Sequence, residues 1–267
     1  MSDKTKEFSA DVSQLMRDMR KFLNDLRIIP RRDSATDSVL LGLISKSIVL
    51  VEAIVCLVDA GFDDEAYALC RSNVEIQLTV RYLTNANTIS RSRRYFLYFT
   101  KDKSEWFKLI RKYYPNLAMK KHSDADEIEK LASAYKSPHK WSEAPGGLRD
   151  FASEKDTFIS REDGTPADEL FYYEVLYKWM SHYVHVTEPA IEPAHMPMPG
   201  DEFVVHYGAG TSKQGKPALR TSFLSVLLNI LRVLRYFNIE VPELLRDRFQ
   251  EVMRAEDRRS SETTVES

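Results

Sequence analysis

Two long apolar segments separated by one short break constrain this chain more than anything else in it. Residues 39–58 form a hydrophobic run interrupted by Ser45, Lys46, Ser47 and Glu52. Asp37 or Ser38 is placed to cap this run as a helix, and Gly61 to end it. Asp63 or Asp64 then opens a second segment, in which Ala66, Leu69, Ile76, Val80 and Leu83 recur at mostly helical steps. Val74 and Leu78 broaden its apolar face. Two long helices joined by so short a loop must turn back on each other, so the spacing predicts an antiparallel helical hairpin. The polar interruptions make the first segment too broken for a membrane span and fit a buried bundle helix.

The remainder reads as further helices around that hairpin. Residues 8–26 are amphipathic, with Val12, Leu15, Met16, Met19, Leu23 and Leu26 on one face. A helix over residues 89–113 stops at Pro115, and residues 123–135 form a short one with acids in its first turn. Residues 137–164 are mostly loop, with one helical turn at residues 148–153. Thr165-Pro166-Ala167-Asp168 is a strong helix start, with threonine as cap and proline at the first position. That helix ends by Pro189, and Pro193, Pro197 and Pro199 exclude another before Gly200. Residues 202–207 are strand-like, either half of a small hairpin or an extended loop. Helices over residues 218–238 and 241–254 follow. The expectation is an all-α, multi-helix bundle of about eight helices with an irregular loop or small hairpin insertion. It forms a single domain over residues 1–255, and the charged tail, residues 256–267, is disordered.

Composition narrows the class. With 267 residues, 43% hydrophobic and 29% charged, the chain belongs among soluble globular proteins able to bury a sizeable core. Its net charge of -2 gives no global sign of a polyanion binder. Cys56 and Cys70 form no Cys-x-x-Cys pair, which excludes a zinc ribbon. Their apolar helical setting predicts buried free thiols. The first residues contain no apolar signal segment, so a cytoplasmic location is expected, without membrane contact. Phosphate-binding glycine loops, dinucleotide fingerprints, His-Glu-x-x-His and Gly-x-Ser-x-Gly are all missing from the sequence.

Chemistry concentrates in two polar interruptions of apolar helices. In residues 172–185, Tyr173, Tyr177 and Ser181 follow at four-residue steps and His185 lies one step further, so all share one helical side. Arg71, Ser72 and Glu75 interrupt the earlier helix, and the two helices are expected to face each other. Arg71 and Glu75 are one turn apart and can pair. That pair is either a structural ion pair or a means of aiming the guanidinium at a ligand. The histidine row can move protons near neutral pH, or it can fix helix register by hydrogen bonding. His182 and His185 are too few for a zinc site, and no metal or other cofactor is expected. A third signal is basic: residues 91–121 hold ten Lys or Arg against two acids, Asp102 and Glu105, interleaved with eight aromatics. Arg93 and Arg94 there would suit single-stranded RNA, although such a pattern also describes aromatics facing a core and bases facing solvent.

Ala66-x-x-Leu69-x-Arg71-Ser72-x-x-Glu75, Tyr82-Leu83 and Tyr177-x-x-x-Ser181-x-x-x-His185 together resemble the bacterial helical family DUF5677 over residues 44–192. The resemblance implies that Arg71, Ser72, Glu75, Tyr177, Ser181 and His185 are its shared polar positions, and it implies no agreed activity. A looser similarity is to helical nuclease bundles of toxin and phage-defence systems, which place arginine four to six residues before histidine. This chain departs from that pattern, since the slots before His185 hold Lys178, Trp179 and Met180. Arg71 would then have to supply the cation from the facing helix.

Two functions are therefore carried forward. One is metal-independent RNA cleavage in a toxin or defence role. In it Arg71, Glu75, Ser181 and His185 are catalytic, and Ser72, Tyr177, Arg93 and Arg94 bind substrate. The other is a non-catalytic interaction or regulatory module, such as a homodimer, in which the polar row specifies packing.

Overall fold

The computed structural model describes residues 3–28, 30–31, 35–114, 142, 144, 147–154, 170, 172–184, 195–197, 203–205, 214–243, 246–248 and 250–252. It is an all-α helical bundle, as the periodicity predicts. Helices α1 (Asp3–Leu26), α2 (Ala35–Asp59), α3 (Asp63–Asn85) and α4 (Thr88–Tyr113) come first. The short α5 (Leu148–Ser153) is followed by a π-helical turn (Tyr172–Tyr177) that runs directly into α6 (Lys178–Val184). A two-stranded antiparallel hairpin pairs β1 (His195–Pro197) with β2 (Phe203–Val205), in the register His195 to Val205. Helix α7 (Gly215–Tyr236) follows, and residues 246–248 are helical beyond it. The helix expected over residues 123–135 and the helix start at residues 165–168 lie outside the described residues, as does the tail.

Helices α2, α3 and α7 form the centre, each packed on the other two. Val51, Ile54, Val74, Leu78, Leu219 and Ile230 are among the sealed apolar side chains that they share. The α2–α3 hairpin forms as expected. Gly61 adopts φ 81°, and the Phe62 N–H reaches back to the Leu57 carbonyl, closing α2 in the left-handed cap that glycine favours. Both α2 and α7 are long and apolar enough to cross a membrane by length and composition, but 56% and 72% of those windows are buried in the bundle.

The central interface is not purely apolar. Ser47 of α2, Asn73 and Gln77 of α3, and Ser225 and Asn229 of α7 are all sealed from solvent. Asn229 donates to Ser47 (3.1 Å), Ser47 donates to Asn73, Asn73 donates to the Ser222 carbonyl (3.0 Å) and Ser225 donates to Gln77 (2.6 Å). A slip of one helix would strand these buried groups at about 1–3 kcal/mol each, so the seam holds the three helices in register.

Two local expectations change, and a third residue takes an added role. Asp37 lies inside α2 rather than at its cap. It is fully buried and accepts hydrogen bonds from the backbone N, Nε and Nη2 of Arg31, at 2.8–2.9 Å. Tyr236 donates to the same carboxylate at 3.2 Å, so Asp37 ties the loop after α1 to the end of α7. Asp63 opens α3 as expected, and no side-chain cap forms at the preceding Phe62. The Asp63 carboxylate also accepts the Gly215 N–H at the start of α7, and burial raises its pKa despite that bond. A side chain at Gly215 would collide with that carboxylate, a Cβ there falling 2.5 Å from an Asp63 oxygen. Finally, Cys70 is buried, its thiol pushed up to about 12, but Cys56 is exposed on the outer side of α2.

Candidate anion site between helix α3 and the π-helical turn

The two polar interruptions do meet. Arg71 projects from α3 and lies half-buried against the π-helical turn and α6. Its Nη2 donates to the Tyr177 hydroxyl at 2.6 Å and its Nε to Ser181 Oγ at 3.0 Å. The guanidinium carbon is 4.6 Å from the centre of the Tyr177 ring, close enough for a cation–π contribution. Ser181 donates in turn to the Tyr177 carbonyl at 2.8 Å, so its oxygen keeps its acceptor side towards Arg71. Tyr173 stacks on Tyr177 with ring centres 5.5 Å apart.

The π-helical turn explains why these groups converge. A π turn holds more residues than an α turn, so side chains four apart come nearly into line along the axis. Tyr173, Tyr177 and Ser181 therefore present one continuous edge to α3. Such turns are frequent at functional sites because they reposition side chains at some cost in regular hydrogen bonding. On the sequence, an α and a π turn share the same apolar pattern, and the residues here carried no signal of the difference.

Glu75 does not hold Arg71. The described hydrogen bonds of Arg71 go to two neutral hydroxyls, and among the described residues no carboxylate pairs with it. Glu75, one turn along α3 and half-buried, sits near the phenols of Tyr177 and Tyr95. Burial, and next the Glu75 charge, pushes Tyr177 up to about 12; Arg71 partly offsets this. The same two causes, in the same order, raise Tyr95 of α4. Both phenols thus stay protonated across the neutral range. Tyr95 belongs to the constellation although sequence reasoning counted it only among the aromatics of α4.

The other predicted residues divide. Ser72 is half-buried, and no described hydrogen bond joins it to Arg71. Arg93 is exposed and Arg94 half-buried on α4. His185 lies outside the described residues, and the side chain of His182 does too. Of the basic stretch, Arg91 is committed elsewhere. It bonds the Glu154 carboxylate at 2.8 and 3.1 Å and lies 3.7 Å over the Tyr82 ring. Tyr95 and Tyr98 pack against the core, but Phe96, Tyr113 and Tyr114 are exposed, as are Lys108 and Lys112. Among the described residues no cluster of three His, Cys, Asp or Glu side chains could hold a metal ion.

A family model described as a family of unknown function, DUF5677, matches residues 37–202, more than half of the chain. The chain belongs to DUF5677. The match is somewhat wider than residues 44–192 and takes in every predicted catalytic and substrate-binding residue. It stops short of α7, so part of this DUF5677 protein's central three-helix packing lies beyond the family region. No curated protein and no solved structure matches the chain significantly.

Proposed function

We propose that this protein binds a phosphate group at Arg71 and cleaves RNA there without a metal ion, in a toxin or phage-defence role in the cytoplasm. The observation that carries the reading is the state of Arg71: a half-buried guanidinium held by two neutral hydroxyls and neutralised by no described carboxylate. A cation so placed keeps its charge for an incoming anion, and its planar fork suits a phosphate.

The chemistry assigns roles to the neighbours. In such a cleavage the ribose 2′-hydroxyl attacks the adjacent phosphorus, and the bond to the 5′-oxygen breaks. A base takes the 2′-hydroxyl proton, an acid returns one to the leaving oxygen, and a cation stabilises the charge on the phosphorane. Arg71 is the cation. Glu75, released from pairing with Arg71, is the base, and His185, four residues beyond Ser181 in the sequence, is the acid. Ser181 and Tyr177 orient the guanidinium and the phosphate, with Ser72 at the edge, and Arg93 and Arg94 guide the strand along α4.

The test is incubation of single-stranded RNA with the protein in a metal chelator. The wild type is expected to release 2′,3′-cyclic phosphate ends. His185→Ala and Arg71→Ala are expected to abolish the release while staying folded, with no more than about 1 kcal/mol of stability lost at Arg71. Intact RNA after exposure to well-folded wild type overturns the reading.

A second reading has an observation of its own. Arg71 contacts Tyr177 through both ring and hydroxyl, which would also suit a staple between α3 and the π-helical turn in a single-domain interaction module. In that case Arg71→Ala and His185→Ala would each lower the melting temperature and change no RNA.

A further inference from the structure

Helix α2 leaves one whole side uncovered, on the flank away from α3 and α7. Gly42, Ser45, Lys46, Val49 and Cys56 are exposed, and Glu52 and Ala53 between them are half-buried. Steps of three and four residues place all of them on one face. Val49 at its centre is 48% exposed. A Cβ added at Gly42 would meet nothing within 4 Å. Beside this face a cavity of about 570 Å³ opens between α1 and α2, lined by Leu41, Ile44 and Ile48 on the α2 side and by Arg20, Asn24 and Arg27 on the α1 side. Val49 exposed among small and charged side chains, next to this groove and on the helix whose apolar window has a mean hydropathy of 2.2, makes a face that calls for an occupant.

The order of residues along the face identifies that occupant. Counted outward from Val49, Lys46 and Glu52 lie three residues to either side, Ser45 and Ala53 four, and Gly42 and Cys56 seven. We propose that α2 pairs antiparallel with α2 of a second copy of this chain, about a two-fold axis through Val49. That rotation sets Lys46 opposite Glu52 of the partner subunit, and the reverse pair forms by symmetry, as an isologous interface requires. Glu52 already accepts Arg20 of its own chain through one carboxylate oxygen, which leaves the other for the incoming ammonium. A parallel pairing would place Lys46 against Lys46 and Glu52 against Glu52, so the charges select the antiparallel arrangement. Gly42, Ser45 and Ala53 are small enough to let the helices approach closely. A bilayer is a poorer occupant, because two charges flank the centre of the face and would be pressed into hydrocarbon.

The experiment uses the full chain. Sedimentation velocity at about 100 μM, a concentration that registers even weak association, is expected to show twice the 30.9 kDa of one chain. Val49→Arg should return it to a single chain with an unchanged melting temperature. Lys46→Glu should weaken the dimer about tenfold by creating two like-charge contacts, and Lys46→Glu with Glu52→Lys should restore it. Gly42→Cys, oxidised with diamide, should give a covalent dimer through native Cys56 of the partner, and Cys56→Ser should remove that product. Three results overturn the proposal. One is a wild type that stays a single chain, whether or not it sediments with phosphatidylcholine vesicles. The others are a dimer indifferent to Val49→Arg, and failure of the charge-swapped double variant to recover. None of these outcomes depends on RNA cleavage.

Discussion

Helix α3 carries two arginines ten residues apart that the structure treats in opposite ways. Arg81 is completely sealed and donates to the carbonyls of Phe151 (2.9 Å), Ala152 (2.7 Å) and Glu154. These are the free carbonyls at the end of α5, where a cation is favoured by the helix dipole as well as by hydrogen bonding. Glu154 is then held by Arg91, and Tyr82 stacks on Phe151 with ring centres 4.0 Å apart. Arg71 is half-buried and rests on two hydroxyls. A guanidinium enclosed by carbonyls and neighbouring an acid is a fastening. One held by neutral hydroxyls at the surface retains charge that a ligand can use. The same residue type on the same helix thus has two fates, set by what packs over it.

The largest effect should come from breaking the sealed member. Arg81→Met leaves three carbonyls at the end of α5 without their donor and should cost about 3 kcal/mol, read as a lowered urea midpoint. Arg71→Met, the matched change, should cost about 1 kcal/mol by the same measurement, because the hydroxyls it leaves can turn to water. Equal losses at both positions would erase the distinction between fastening and site.

Acid should next loosen the fastening. Burial pushes the Glu154 carboxyl upward, but hydrogen bonds from Arg91 and Asn85 and the charges of Arg91 and Arg81 more than offset it, leaving the pKa below its ordinary value. A carboxyl depressed in the folded state contributes stability that is present above its unfolded pKa of about 4.5 and lost as pH falls through the lower folded value. Glu154→Gln should therefore flatten the acid limb of the stability–pH curve. Denaturant midpoints taken from neutral pH down to acid would check this.

The smallest effect is at Tyr177. Tyr177→Phe removes the acceptor of the 2.6 Å bond but keeps the ring under the guanidinium, and should cost about 0.5–1 kcal/mol. With the phenol pushed up to about 12, ultraviolet titration should show no tyrosinate from this residue through the neutral range. Ionisation of Tyr177 below about pH 10, the ordinary tyrosine value, would mean that Arg71 outweighs burial and Glu75.

Much of this was legible in the sequence because periodicity is a local property. Apolar steps of three and four residues placed the long helices. Gly61 with a short break imposed the α2–α3 hairpin, and the spacing of Tyr173, Tyr177 and Ser181 aligned them on one side. The meeting of Arg71 with that row was also expected, since two polar interruptions of apolar helices have strong reason to face each other.

What the sequence could not decide was which partner each charged group would take. Arg71 had Glu75 one turn away and instead bonds side chains more than a hundred residues further on. Arg91 was counted among free bases and is paired with Glu154. Asp37, placed to cap its own helix, instead accepts from Arg31 and Tyr236, and Asp63, which opens α3, also reaches the start of α7. In each case local proximity offered a weak, solvent-screened interaction, and packing offered a shorter one with less competing water. Patterning along the chain determines which face of a helix turns inward. Only the assembled bundle determines which groups lose water together, and that loss sets the strength of every polar contact described above.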